Sequence, residues 1–252
     1  MRKVYILPNL FTTGNIFCGV YSLSLVLKSV PQYSRAAWFI MLAMLFDFLD
    51  GQVARRYRAT SDFGVEYDSL ADFFSFGIVT TIIAYCLVLQ KMGGIGIGVA
   101  FLYIVFCALR LARFNIQTDK DKEEKGDFRG LPSPVAAGVL LSFIIFREFL
   151  EGNPYVDLSW EPVIPFMMII LGALMVTGIT YPTLLALELR KKKPFIYLLV
   201  IIVMVCFLLQ FPQIVIFIAF VSYLILGFYD GIRGDIREKK LTRQGEISEE
   251  TG

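Results

Sequence analysis

Residues 36–90 read AAWFIMLAMLFDFLDGQVARRYRATSDFGVEYDSLADFFSFGIVTTIIAYCLVLQ. Two apolar runs, at approximately 36–56 and 70–90, are separated by a charged stretch. Each run has the length of about 20 residues that crosses a bilayer as an α-helix. Neither run alternates with the period of two that a membrane β-barrel strand requires. This segment therefore predicts two transmembrane helices joined by a charged turn.

The rest of the chain repeats this pattern of long apolar runs. Of its 252 residues, 56% are hydrophobic, which is more than a soluble domain of this length normally buries, so lipid must cover the remainder. We predict an all-α, polytopic transmembrane helical bundle with about eight spans. The spans are expected at approximately 6–28, 36–56, 70–90, 93–115, 133–149, 161–185, 194–210 and 212–229.

Basic residues are distributed unevenly between the predicted loops. An even number of spans places both termini on one side of the membrane, and that side carries all but four of the 24 Lys and Arg residues. The four on the other side are Lys28, Arg35, Lys91 and Arg147. By the positive-inside rule, both termini face the cytoplasm, which predicts a multi-pass protein of the cell membrane.

The supply of reactive side chains limits the possible chemistry. The chain has no histidine, which excludes a Ser-His-Asp triad, a phosphohistidine intermediate and a histidine metal site. Any metal ligand or general base is then expected to be a carboxylate. The four cysteines lie in apolar runs without the spacing of disulfides or zinc sites, and we expect them to be packing residues: Cys18, Cys86, Cys107 and Cys206.

Four aspartates lie at helical spacing around the turn between the second and third spans. Asp47 and Asp50 are three residues apart, and Asp68 and Asp72 are four apart, so each pair projects from one face of its helix. Like charges this close repel, and the membrane edge adds a desolvation cost, so a bound cation is expected. Oxygen-only ligands indicate Mg²⁺ or Mn²⁺.

Small and basic residues accompany these aspartates. Gly51, Ala54 and Gly64 lie near the carboxylate face, where a bulky side chain would fill the cleft. The alternative interpretation is that they serve only close helix packing. Arg55 is a candidate phosphate contact, whereas Arg56 and Arg58 are interpreted as anchors at the membrane boundary. Asp62 and Glu66 fall outside the paired spacing and are interpreted as solvated loop residues.

Together these residues resemble a family signature. The pattern D-x2-D-G-x2-A-R-x8-G-x3-D-x3-D, found here over residues 47–72, is similar to that of the CDP-alcohol phosphotransferase family. The resemblance implies a dimeric helical bundle, a pair of divalent metal ions and a CDP-linked lipid donor. It also implies roles for the residues of the signature. Asp47, Asp50, Asp68 and Asp72 would be metal ligands, and Asp72 would also be the general base. The CDP site would be lined by Gly51, Ala54, Arg55 and Gly64.

Three further strings resemble the branch of the family that makes phosphatidylserine. They are LPNLFTTGN at residues 7–15, LRLARFN at residues 109–115 and FRGLPSP at residues 128–134. In the first string, Asn9 and Thr12 are three apart and could either reach the nucleotide or serve helix packing. A serine acceptor brings a carboxylate that arginine recognises well. The candidate serine contacts are Arg113 and Arg129, with Arg110, Asn115 and Ser133 in secondary roles.

The predicted function is transfer of a phosphatidyl group from CDP-diacylglycerol to L-serine, with release of CMP. Residues 1–236 would form a single transmembrane catalytic domain in contact with membrane lipids, and residues 237–252 a flexible cytoplasmic tail. The expected assembly is a homodimer, and a net charge of +2 indicates no nucleic-acid partner. Two alternatives stay open: a sibling enzyme that uses glycerol 3-phosphate or inositol phosphate, and a divalent-cation transporter, which would spread its carboxylates through the bilayer depth.

Overall fold

The computed structural model of the chain describes residues 6–57, 61–120, 130–151, 160–177, 207 and 209–229. These residues are almost entirely helical and include no β-strand. Eight α-helices are numbered in chain order: α1 (Ile6–Val26), α2 (Tyr33–Tyr57), α3 (Asp62–Asp72), α4 (Thr80–Leu87), α5 (Gly94–Lys120), α6 (Ser133–Glu151), α7 (Val163–Val176) and α8 (Pro212–Tyr229). A π-helix, Phe73–Val79, joins α3 to α4 without a break, and a short 3₁₀-helix, Leu89–Met92, precedes α5.

Five helical stretches in the described part of the chain are long and apolar enough to cross a membrane. They are Tyr33–Ala54, Asp62–Leu87, Gly94–Ile116, Ser133–Glu151 and Pro212–Tyr229. Helix α1 has 21 residues but is not among these five, and α7 is apolar but shorter. The prediction of an all-helical membrane protein is confirmed. The predicted span at 194–210 lies almost entirely outside the described residues, as does the tail.

The predicted start of the third span was wrong. We expected it near residue 70, but the helix begins at Asp62, where the Ser61 hydroxyl caps it by accepting a hydrogen bond from the Gly64 backbone N–H at 3.0 Å. Asp62 lies in the first turn, where a negative charge interacts favourably with the helix dipole. Asp62 and Glu66 are therefore helical residues and not loop residues. The early turns of α3 are polar, so an apolar run alone did not detect them.

Small residues allow α1 and α2 to pack closely. Ala36, Ala37 and Ala43 of α2 are fully buried, and a Cβ added at Gly14 of α1 would lie 3.3 Å from the Phe46 ring. Close approach of helix backbones through small residues is a main source of helix association in membranes. It brings the N-terminal half of α1 alongside the acidic C-terminal half of α2.

The outer surface of the bundle is apolar. Large hydrophobic side chains with more than half of their surface exposed occur on α1, α3, α5, α7 and α8, as expected where lipid replaces water as the surrounding medium. Examples are Leu10, Phe17, Phe101, Phe166, Ile218 and Ile225. Cys18 and Cys107 are buried and Cys86 is half-buried, and all three are free thiols, which confirms the packing role predicted for them. Cys206 lies outside the described residues.

Ion pairs lie near the ends of helices α5, α6 and α7. Lys91, before α5, donates to Glu161, before α7, at 2.6 Å, and Arg147 of α6 pairs with Glu151. The nearby Lys91 ammonium lowers the pKa of Glu161, although both groups are so exposed that the pair adds little stability. The acidic residues Asp47 and Asp50 of α2 instead lie close to Asp68 of α3.

Candidate active site

Three of the four signature aspartates come together where α2 meets α3. One carboxylate oxygen from each of Asp47, Asp50 and Asp68 lies within 4.8 Å of the other two. Asp50 is buried, and Asp47 and Asp68 are half-buried. The predicted pairing of carboxylates from two facing helices is therefore present in the structure for these three residues.

This carboxylate cluster has the chemistry of a cation site. Among the described residues, the buried Oδ1 of Asp68 has no hydrogen-bond partner, which is costly for a carboxylate oxygen. Oxygen ligands from several carboxylates, close together and partly shielded from water, suit Mg²⁺ or Mn²⁺. The residues present thus fit a divalent metal ion.

Asp72 lies one helical turn beyond Asp68 and is more deeply buried. It is not one of the three clustered carboxylates, and its role as a fourth metal ligand stays a prediction. Its Oδ1 accepts a hydrogen bond from Asn15 Nδ2 at 3.2 Å. Asp72 also interacts electrostatically with Asp47, Asp68 and the Arg110 guanidinium. It therefore lies within electrostatic range of both the carboxylate cluster and Arg110.

Helix α1 supplies polar partners to the site from the side. Thr12 is buried, and its hydroxyl donates to Asp50 Oδ2 at 3.0 Å. A Cβ added at Gly64 would lie 3.6 Å from Asn9 Oδ1 and 3.1 Å from Ser61 Oγ. Asn9, Thr12 and Gly64 are thus gathered beside the carboxylate cluster, although their proposed contact with CDP stays a prediction. Gly51 and Ala54 are half-buried on α2, and the Arg55 side chain lies outside the described residues.

The candidate serine contacts divide into two groups. Arg110 is half-buried, donates to the buried Ser133 hydroxyl at 2.5 Å, and lies 5.9 Å from the centre of the Phe114 ring. Arg113 is exposed on the same helix, and Arg129 lies outside the described residues. Among the arginines whose side chains the structure describes, Arg110 is the one that interacts electrostatically with Asp72.

A series of side-chain hydrogen bonds links α3 to α5. Ser69 Oγ donates to Asn115 Oδ1 at 3.1 Å, and Asn115 Nδ2 donates to Glu66 Oε2 at 3.4 Å. Sequence reasoning missed Glu66 because it is out of step with the paired aspartates. It also missed Asn15, although a lone amide three residues after Thr12 in an apolar span was a usable signal.

Comparison with known proteins decides the family. The model of the CDP-alcohol phosphatidyltransferase family matches residues 5–180, which is well over half of the chain. The chain belongs to this family. The CDP-alcohol phosphatidyltransferase signature seen in the sequence is thus confirmed, and the carboxylate cluster is formed by residues of that signature.

Curated relatives from bacteria and archaea share most of the chain. A Helicobacter pylori protein named CDP-diacylglycerol–serine O-phosphatidyltransferase is 39% identical over 185 residues, covering 72% of this chain and 74% of its own length. A Methanocaldococcus jannaschii protein of the same name is 31% identical over 236 residues, covering 93% and 98%. A Methanothermobacter thermautotrophicus protein named archaetidylserine synthase is 37% identical over 178 residues, covering 70% and 69%.

Proposed function

We propose that this CDP-alcohol phosphatidyltransferase moves the phosphatidyl group of CDP-diacylglycerol to the hydroxyl of L-serine, forming phosphatidylserine and releasing CMP. The observation that carries the proposal is that Asp72 interacts electrostatically both with the aspartates of the carboxylate cluster and with Arg110. The carboxylate cluster suits a metal-bound diphosphate, and Arg110 suits an acceptor that bears a carboxylate. The names of the relatives support the same acceptor.

Each candidate site residue has a role in the proposed reaction. The acceptor oxygen forms a bond to the phosphorus that carries diacylglycerol, the bond from that phosphorus to CMP breaks, and the hydroxyl proton passes to the Asp72 carboxylate. Asp47, Asp50 and Asp68, with Asp72 as a predicted fourth ligand, would hold two divalent ions, Mg²⁺ or Mn²⁺, which supply neutralisation of the diphosphate and of the leaving CMP. Thr12 orients Asp50, and Arg110 attracts the acceptor carboxylate.

The cellular setting is part of the proposal. The excess of basic residues on one predicted side supports a site that faces the cytoplasm, from which soluble serine and CMP can exchange. We also propose a bundle of eight spans and a homodimer. The broad apolar surface of α8, which includes Ile218, Ile225 and Leu226, needs cover from lipid or from a second copy of the chain.

The most informative test compares acceptors side by side. Purified protein with Mn²⁺ or Mg²⁺ and CDP-diacylglycerol is expected to release CMP and form phosphatidylserine when labelled serine is added. Glycerol 3-phosphate and inositol phosphate, at equal concentration, are expected to give little product. Activity only with a phosphorylated acceptor would overturn the serine assignment and leave the family assignment intact.

Arg110→Gln is expected to weaken serine binding in particular. Loss of a charge-assisted contact costs about 1.5–3 kcal/mol, so the KM for serine should rise by about 10- to 100-fold while the KM for CDP-diacylglycerol changes little. Steady-state kinetics with both substrates would measure this. Arg113→Gln is expected to have a smaller effect, and Arg35→Gln, an exposed arginine that bonds Gln32 at the start of α2, serves as control. An unchanged KM for serine in Arg110→Gln would remove this contact.

A further inference from the structure

The middle of α1 contacts the third span at the point where that span changes from α-helix to π-helix. Asn15 is fully buried there, and its Nδ2 donates to Asp72 Oδ1 at 3.2 Å. Its backbone carbonyl accepts a second bond, from the buried Ser75 hydroxyl at 3.4 Å. Asn15 is therefore fixed to the same short segment through both its side chain and its main chain.

The π-helix makes this contact close. It begins at Phe73, directly after Asp72, and the Thr80 hydroxyl donates to the Ser75 carbonyl at 3.0 Å, which helps satisfy the widened turn. A Cβ added at Gly19, one turn after Asn15, would lie 2.8 Å from the Phe74 ring and 2.9 Å from Ser75 Oγ. Only glycine permits this approach, and π-turns inside helices are frequent at functional sites.

We propose that Asn15, supported by Ser75, is a positioning residue that holds the Asp72 carboxylate in its reactive orientation. This inference rests on the proposed role of Asp72 as base. An amide N–H₂ donates to one carboxylate oxygen without competing for the proton, because an asparagine side chain does not titrate. With Oδ1 held by Asn15, the other Asp72 oxygen keeps its lone pairs for the acceptor hydroxyl.

The energetics argue against a purely structural role for Asn15. Its own Oδ1 is buried and has no hydrogen-bond partner among the residues that the structure describes. A buried amide with one end unsatisfied costs stability, and a leucine of similar size would pack an apolar helix interface more favourably. The amide is thus explained by its hydrogen bond to Asp72, and the folding of α1 does not require that bond.

The test replaces Asn15 with leucine, which keeps the branched side-chain shape and removes the donor. We expect kcat to fall by about 10²-fold, the loss typical of a misplaced catalytic group, with both KM values within about threefold of wild type. Mn²⁺ affinity, measured separately by titration without substrate, should fall by no more than about 10-fold, far less than for loss of a direct ligand, because Asp72 is the one predicted metal ligand among the described contacts of Asn15. Ser22→Ala is the matched control: Ser22 is buried on the same helix, and the hydrogen bond described for its hydroxyl goes to the Ala36 carbonyl, at 2.9 Å.

A second variant keeps the proposal testable if Asn15→Leu does not fold. Ser75→Ala removes only a hydroxyl and should lower kcat severalfold, with a smaller change in Mn²⁺ affinity than in Asn15→Leu. An unchanged kcat in either variant would overturn the proposal, as would a fall in kcat that Ser22→Ala reproduces together with equal losses of thermal stability and Mn²⁺ affinity. CMP release is followed with whichever acceptor serves the wild-type enzyme, so the serine assignment can fail without affecting the role of Asn15.

Discussion

Replacing Asp72 with asparagine is expected to reduce turnover by about 10²- to 10⁴-fold, the range typical for loss of a general base. Asparagine has almost the same shape and can still contact Asn15, but it cannot accept the proton of the acceptor hydroxyl. CMP release from CDP-diacylglycerol and serine measures the loss. Retained binding of the CDP-linked donor would show that the bundle and its nucleotide site are intact.

The control for Asp72→Asn is Asp62→Asn, the same chemical change at an exposed position in the first turn of the same helix. It should leave turnover close to wild type. Substantial residual activity in Asp72→Asn would remove Asp72 as the base. A parallel Mn²⁺ titration then separates its two predicted roles, because loss of a ligand weakens metal binding whereas loss of a base alone does not.

Asp68→Asn is expected to have opposite effects on the metal-free and metal-loaded protein. Without metal, Asp47, Asp50 and Asp68 repel one another, so removing one charge should raise the melting temperature by about 2–4 °C for each kcal/mol of repulsion relieved. With metal, the variant loses a direct ligand, and Mn²⁺ affinity should fall by more than about 100-fold, the upper value for groups that merely support a ligand.

Thermal unfolding with and without Mn²⁺ measures both effects of Asp68→Asn. At a Mn²⁺ concentration of about 100 times Kd, wild type should gain about 2.7 kcal/mol, and the variant should gain almost nothing. Asp62→Asn again provides the control and should keep the wild-type response to metal. A variant that still gains full stability from Mn²⁺ would show that the carboxylate cluster is not the metal site.

The sequence was sufficient to predict the helical membrane class and the core of the candidate site. Apolar runs located α2, α5, α6 and α8 closely, because a helix that faces lipid must be apolar over most of its length. The spacing of Asp47, Asp50 and Asp68 placed their carboxylates on facing helices, because helical periodicity fixes the direction of each side chain.

Other features depend on contacts between distant segments and have no local signal. The π-helix arises where Phe74 and Ser75 pack on Gly19, more than fifty residues earlier in the chain, so no window of sequence contains both partners. Likewise, Arg110 and Ser133 were each candidate serine contacts, but nothing in their spacing indicated that they bond to each other. The start of α3 was missed because its capping residue precedes a polar turn.

The turn before α6 shows that the candidate acceptor contacts, Ser133 and Arg110, also depend on α7, a helix that carries none of the candidate site residues. Gly130 has φ of 97°, a conformation that glycine adopts readily, and an added Cβ would collide with the Met175 carbonyl at the end of α7. The Leu131 N–H donates to the Leu174 carbonyl at 3.0 Å, two residues before Ser133. A shortened enzyme that kept every signature residue but lacked α7 would therefore lose the anchor for Ser133 and, with it, the alignment of Arg110.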